Sequence, residues 1–436
     1  MGTEQQQLVK AQELLQTLVN ASEKAANIAR ACRGESTLFS LLVEEKKDGE
    51  KNKRFFQDFK TLADVLVQEC VRHDVSKRFP GIEESIRGEE SNQFTNTLGE
   101  SICVKVMATG TETENLLAKV LDGNKNAAAL LADLVHEDIN NSVVEPRLDS
   151  SIQFPLNDIG IWIDPIDSTS EYVNGQWEKP GVFGIASSGL QSVCVLIGMY
   201  SVSSGAPLLG VVNQPFYAWD YYLTLSSISP TTAGRIDSVH LTSFVVNQPF
   251  YAWDYSLNRW TGRCIWGFCH QKTTLNVDEK LCHNISSELA ANCNTPLDKS
   301  VITISSSEAS PLVSALKDKY EVVFAAGAGY KVVNVACGLA NLYLLTKGST
   351  FRWDTCAPHA ILRSMGGGVM NLKKVLSLPL DSLLDNQENL QLIYNSPEEG
   401  VSGVDRWCNM DGLIAYRDTA SLLELVQFLK EVNLKP

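Results

Sequence analysis

Two aspartates, Asp164 and Asp167, stand at the end of an apolar run that reads Ile161-Trp-Ile-Asp-Pro-Ile-Asp-Ser-Thr169. Pro165 fixes its own φ and has no N–H, so a strand is expected to stop there and turn. That turn would leave both carboxylates at one strand end, close enough to share hard cations. Ser168 and Thr169 suit the opening turn of a helix, where free N–H groups attract phosphate. Carboxylates for Mg²⁺ beside N–H groups for an anion are the two halves of a metal-assisted phosphatase site. Alone, Asp-x-x-Asp reads as an ordinary solvated turn.

Four further segments change that reading. Asp64 lies in a helical pattern, four residues before Gln68. Gly88-Glu89-Glu90 sets two adjacent carboxylates after a glycine. Trp353-Asp354 places an aspartate where a strand-like run enters a helix, and Ala325-Ala-Gly-Ala-Gly-Tyr-Lys331 is a small-residue loop that lets a ligand approach the backbone. Each has a plainer reading: a solvated helix position, an acidic surface, a helix cap, strand–helix packing. All five in one chain, in this order, carry more weight than any member.

The elements that must position them follow from periodicity. Residues 4–32 read as a helix with Leu8, Leu14, Leu15, Leu18 and Ile28 near one face, and 56–73 as a second with Phe59, Leu62, Val65, Leu66 and Cys70 inward. The charge-dense run 44–54 reads as solvated, and 110–141 as helical. Strands are expected at 158–164, 191–200 and 207–213, in a β-rich part reaching about residue 270. From residue 300 strand and helix alternate (300–305, 311–319, 321–325, 330–339, 341–346), the pattern of an α/β layer. His359 is expected to pack in the helix after Asp354, without a catalytic role.

An eleven-residue segment, Val-Val-Asn-Gln-Pro-Phe-Tyr-Ala-Trp-Asp-Tyr, occurs at 211–221 and again, identically, at 245–255. Its flanks are unrelated, unlike those of a structural repeat. One copy is expected to occupy the sheet, and the other, with the spacer 222–244, to form a loop.

The chain has 436 residues, 44% hydrophobic and 20% charged, the balance of a globular protein. Its formal charge of −14 argues against a nucleic-acid partner. Eleven cysteines, an odd number without a C-x-x-C pair, point to reduced thiols in the cytoplasm. No signal peptide is expected from the first residues, and no apolar run approaches membrane-spanning length.

Together, Asp64, Gly88-Glu-Glu90, Asp164-Pro-Ile-Asp-Ser-Thr169, Gly327-Ala-Gly329 and Trp353-Asp-Thr-Cys-Ala357 resemble the lithium-sensitive, Mg²⁺-dependent phosphatases of the inositol monophosphatase and fructose-1,6-bisphosphatase superfamily. Similarity to its inositol-polyphosphate branch rests on Ser22–Cys32, Glu44–Lys53, Asp58–Glu69, Ala357–Arg363 with Gly366–Gly368, and Gly403–Trp407. The long gap from Glu90 to Asp164 also suits that branch. The resemblance covers nearly the whole chain except roughly 222–244.

The resemblance implies a layered α-β-α-β-α sandwich of the sugar-phosphatase type, with an α+β metal-binding part over 1–296 and an α/β substrate-side part over 297–436. It implies that Glu89, Asp164 and the carbonyl of Ile166 hold one Mg²⁺, that Asp164, Asp167 and Asp354 hold a second, and that Glu90 and Asp64 surround a third. Thr169, paired with Asp64, would orient and deprotonate the attacking water. Asp167, Ser168 and Thr169 would meet the phosphoryl group, while Ser306, Ser307, Gly327 and Lys331 would border the rest of the substrate. Lys331 is the expected partner of a second phosphate; Ala309 stands where a basic residue is expected. The implied reaction is loss of the 1-phosphate from inositol 1,4-bisphosphate and inositol 1,3,4-trisphosphate, inhibited by Li⁺, in a cytoplasmic monomer with no nucleic-acid or membrane partner. The rivals are a 3′(2′),5′-bisphosphate nucleotidase and a non-catalytic inositol-phosphate binder.

Overall fold

The apolar positions of the chain separate into three buried layers, and two sheets lie between them. The computed structural model describes residues 7–34, 43–46, 59–139, 148–177, 180–181, 183–219, 260–270, 282–285 and 300–432. The first sheet has six strands in spatial order β6-β5-β4-β3-β2-β1. These are β1 (Ile86–Gly88), β2 (Ile159–Asp167), β3 (Cys194–Ser201), β4 (Pro207–Trp219), β5 (Trp260–His270) and β6 (Cys282–Ile285). The pair β1–β2 is parallel and the other pairs are antiparallel.

Side chains alternate across this sheet, as a strand buried on both faces requires. Ile161, Ile163, Ile197 and Val211 pack on one side against α1 (Ala11–Gly34) and α2 (Leu62–Arg78). Trp162, Leu196, Val212 and Ile265 face the other way. There they meet α7 (Ala328–Ala336) and α8 (Arg352–Ser364), which form the middle helical layer. Helices α3 (Gly110–Val120), α4 (Lys125–His136) and α5 (Thr169–Asn174) complete the first half.

The second sheet contains β7 (Val301–Ile304), β8 (Glu321–Phe324), β9 (Leu342–Leu345), β10 (Gly368–Asn371) and β11 (Leu413–Tyr416), in order β8-β7-β9-β11-β10. Its Tyr343, Leu345, Val369 and Ala415 face the middle helices. Its Ile302, Ile304, Leu344 and Ile414 face α6 (Ser310–Lys319), α9 (Leu372–Ser377) and α10 (Thr419–Glu431). The result is the five-layer α-β-α-β-α sandwich that the resemblance implied. Among the described residues, no helix is long and apolar enough to cross a membrane.

Several local expectations change. β2 does not stop at Pro165: it runs on to Asp167, and the register with β3 slips between Asp164 and Asp167. A bulge absorbs the missing N–H that would otherwise end the strand. Leu8 is not on a helix; it is 56% exposed in a short strand, Leu8–Lys10. The second helix begins only at Leu62, because Thr61 and Asp64 form a capping box. The helical stretch 110–141 is two helices, broken where Asp122 and Gly123 take φ of 50° and 88°. The charged run is not uniformly solvated either: Val43–Glu45 pairs with Phe59–Thr61, and Lys46 is buried.

The first copy of the duplicated segment supplies β4. Its Gly210 pairs with Gly198 on β3 and with Gly267 on β5, making a row of glycines across three strands. Helix α8 lies in the groove they leave. A Cβ at Gly210 would stand 1.9 Å from the carbonyl oxygen of Ala357, and one at Gly198 would stand 2.5 Å from the Ala357 nitrogen. In the second copy the residue before Val245 is Phe244, so a benzyl group would fall where Gly210 lies. Steric fit beneath α8 therefore favours the first copy. The second copy and the spacer lie outside the described residues.

Candidate active site

Three buried carboxylates converge where the first sheet meets the middle helices. Asp164 and Asp167 come from the bulged end of β2, and Asp354 from the first turn of α8. One oxygen from each lies within 4.8 Å of the others. Asp167 accepts the backbone N–H of Ala328 at 3.2 Å and of Tyr330 at 3.0 Å. The Gly-Ala-Gly loop thus admits Asp167 itself to its backbone: a Cβ at Gly327 would meet Asp167 Oδ2 at 2.8 Å, and one at Gly329 at 3.0 Å. Asp354 is fixed by the N–H of Phe351, 2.6 Å from Oδ2.

Asp64 sits one layer away on α2. Its Oδ2 accepts the N–H and hydroxyl of Thr61, at 2.7 and 2.5 Å. Its Oδ1 faces the Thr169 hydroxyl at 3.4 Å; that hydroxyl also lies 3.1 Å from the carbonyl of Ile166. Gln68, one turn along α2, clamps the acidic pair by its backbone: its amide donates to Glu90 O at 2.6 Å and accepts from Glu90 N at 3.0 Å. The spacing of Asp64 and Gln68 therefore ties the helix both to the hydroxyl and to the Glu89–Glu90 backbone.

Lys46 is the participant that sequence reasoning missed. Its ammonium lies 2.6 Å from Glu89 Oε1 and 2.7 Å from Glu90 Oε1, with its side chain only 4% exposed. The signal was hidden within a run of charges in which nothing singles out one lysine.

Burial, followed by mutual repulsion, holds Asp164 and Asp354 well above the usual carboxylate range. Desolvation likewise raises Asp64, Asp167 and Glu90, against hydrogen bonds and the charges of Lys46 beside Asp64 and Glu90 and of Lys331 beside Asp167, which lower them. Asp164 Oδ1 is buried with no hydrogen-bond donor among the described residues. An all-oxygen cluster of like charges around an unsatisfied acceptor fits a hard divalent cation.

A cavity of about 490 Å³ opens over the triad. Glu89, Asp164, Ile166, Asp167, Ser168, Thr169, Ser306, Gly327, Lys331 and Asp354 border it, whereas Asp64 and Glu90 are buried behind them and Ser307 lies outside the lining on an exposed loop. Ser168 holds φ of 73°, strained for a residue with a Cβ, and its hydroxyl is buried without a partner among the described residues. Lys331 is buried and donates to the carbonyls of Ala325 at 3.0 Å and Gly327 at 2.5 Å. Burial lowers its ammonium to about 8, against the opposing pull of Asp167 and Asp354. His359 is remote from this chemistry, buried between Tyr394 and Gln391 at 2.9 Å each.

The inositol monophosphatase family matches this chain over residues 10–402. Inositol polyphosphate 1-phosphatase of Homo sapiens is 42% identical over 435 residues, covering 97% of this chain and 98% of that protein. The Bos taurus protein of the same name is 44% identical, covering 94% and 95%. The 3′(2′),5′-bisphosphate nucleotidase 1 of Rattus norvegicus is 24% identical, covering 77% and 79%.

Proposed function

This chain belongs to the inositol monophosphatase family, and from that premise we propose that it is an inositol polyphosphate 1-phosphatase. It would remove the 1-phosphate of inositol 1,4-bisphosphate and inositol 1,3,4-trisphosphate with Mg²⁺ and be inhibited by Li⁺. The observation that carries this reading is the end-to-end likeness to proteins of that name, at 42% and 44% identity. The buried triad supports it.

Asp164, Asp167 and Asp354, with Glu89 and the Ile166 carbonyl, would hold two Mg²⁺ ions, and Glu90 and Asp64 would border a third. Bound there, Mg²⁺ would neutralise phosphoryl oxygens and lower the pKa of water. Thr169 would orient the attacking water through its hydroxyl and pass a proton toward Asp64 Oδ1, its neighbour at 3.4 Å. Ser168, whose hydroxyl has no partner among the described residues, would donate to a phosphoryl oxygen. Ser306, Ser307 and Gly327 would border the inositol ring and its other phosphates, with the Lys331 ammonium, tied to the carbonyls of Ala325 and Gly327, nearer the reacting end. In this reading residues 1–296 supply the metal ligands except Asp354, and residues 297–436 the substrate side. The protein would act as a cytoplasmic monomer.

The test is phosphate release from inositol 1,4-bisphosphate and adenosine 3′,5′-bisphosphate, each with and without Li⁺, by the protein and by Asp354→Asn. Lithium-sensitive release from the inositol substrate, lost in Asp354→Asn, is expected. Preference for the nucleotide, or no release by folded protein, would overturn the reading.

A further inference from the structure

The parallel strands β7, β8 and β9 end on one side of the second sheet and send their loops to the cavity. Ligands of open α/β sheets gather at such strand ends. Lys331, in the helix after β8, is held inward by two carbonyls and lies within electrostatic reach of Asp167 and Asp354. Its charge therefore serves the reacting end of the cavity. A substrate carrying a second phosphate farther out needs a cation nearer the mouth.

Lys347 stands beside that mouth, its own side chain outside the cavity lining. It follows β9 between Leu345 and Ser349, both of which border the cavity. Its exposed ammonium donates to the carbonyl of Ser307, in the loop after β7. That loop also borders the cavity, through Ser305 and Ser306. The two loops are locked together by Glu308, only 7% exposed, which accepts the N–H of Thr346 at 3.0 Å and its hydroxyl at 2.5 Å. The lock fixes the backbone immediately before Lys347, while the side chain is tethered to Ser307 through a neutral acceptor. A phosphate would compete well with that acceptor, since charge-assisted hydrogen bonds are about twice as strong as neutral ones.

We propose that Lys347 is a specificity-determining residue, binding the phosphate of the substrate that is not cleaved. This inference rests on the reading of the protein as an inositol polyphosphate phosphatase. Ser305 and Ser307, whose hydroxyls lie 3.0 Å apart, would turn toward the same group.

The experiment compares Lys347→Met, Lys347→Arg and the unaltered protein in Mg²⁺. It reads KM and kcat for inositol 1,4-bisphosphate and inhibition by inorganic phosphate, which engages only the reacting end. Loss of one charge-assisted contact should raise KM roughly tenfold or more. kcat and phosphate inhibition should hold steady in Lys347→Met, and KM should recover in Lys347→Arg. An unchanged KM, or phosphate inhibition weakened in parallel with KM, would overturn the inference while leaving the function intact. Failure of the unaltered protein to turn over the bisphosphate would overturn the reading of function, and this inference with it.

Discussion

Gly210→Ala tests whether the glycine row places the third aspartate. A Cβ at this position would stand 1.9 Å from the oxygen of Ala357 and 2.8 Å from its carbonyl carbon. Ordinary contact begins at 3.4 Å, so the helix must retreat by about 1.5 Å. The obstacle is helix backbone, which has no rotamer to change. Relief sideways is limited because Cβ positions at Gly198 and Gly267 also lie 2.5 and 2.4 Å from α8 atoms. Asp354 is three residues before Ala357 on that helix, so the shift carries to its carboxylate. The triad oxygens span at most 4.8 Å, and about 1.5 Å is a large part of that span. Overpacking should cost about 1–3 kcal/mol of stability. Misplacement by about 1 Å can lower turnover by about 100-fold. The assay is Mg²⁺ titration by calorimetry beside kcat, below the unfolding range of the variant. The expected result is Mg²⁺ affinity weakened by about tenfold or more, with kcat reduced on the order of 100-fold. Gly110→Ala is the control, since its Cβ would meet only His136, at 3.9 Å. Normal Mg²⁺ binding and turnover in folded Gly210→Ala would refute the argument that this seat positions Asp354.

Three other outcomes are expected. Lys46→Met leaves Glu89 and Glu90 without that cation, so metal-free protein should lose about 3–5 kcal/mol and regain most of it with Mg²⁺. Mg²⁺ stabilisation no larger than in the unaltered protein, read by denaturant midpoints, would contradict this. Burial pushes His359 down to about 3 from 6.5, so between those pH values the unfolded chain holds a proton that the folded protein refuses. Stability contributed here is lost as pH falls through that window, by about 2–3 kcal/mol between pH 6.5 and 4.5. His359→Gln should flatten the slope in urea titrations; identical slopes would count against a neutral buried imidazole. Deleting 222–255 joins one copy of the duplicated segment directly to Ser256, with Gly210 still before it. Because lengthening a loop costs little closure entropy, stability and turnover should change by no more than about threefold in equilibrium or rate terms. Loss of folded protein would show that the extra residues support the sheet.

The sequence by itself determined what could be read from local chemistry and period. Local pattern placed Asp64 in a helix, Asp164 in a strand and Asp354 at a helix start, and the alternation after residue 300 announced the second sheet. The sequence reading also expected His359 to pack in the helix after Asp354, where it is buried. Only the tertiary structure decided how these segments meet, because the deciding contacts join residues far apart in the chain. Pro165 belongs to a bulge rather than a strand end because β3 continues pairing beyond it. Lys46 is buried because a hairpin carries it to Glu89 and Glu90. The glycines of the Gly-Ala-Gly loop make room for Asp167, which arrives from the other sheet. Two identical segments are equal in composition and propensity; their flanks differ, and Gly210, before the first copy, is the residue that fits beneath helix α8. Close packing against a distant backbone is a property of the folded chain, and no local pattern encodes it.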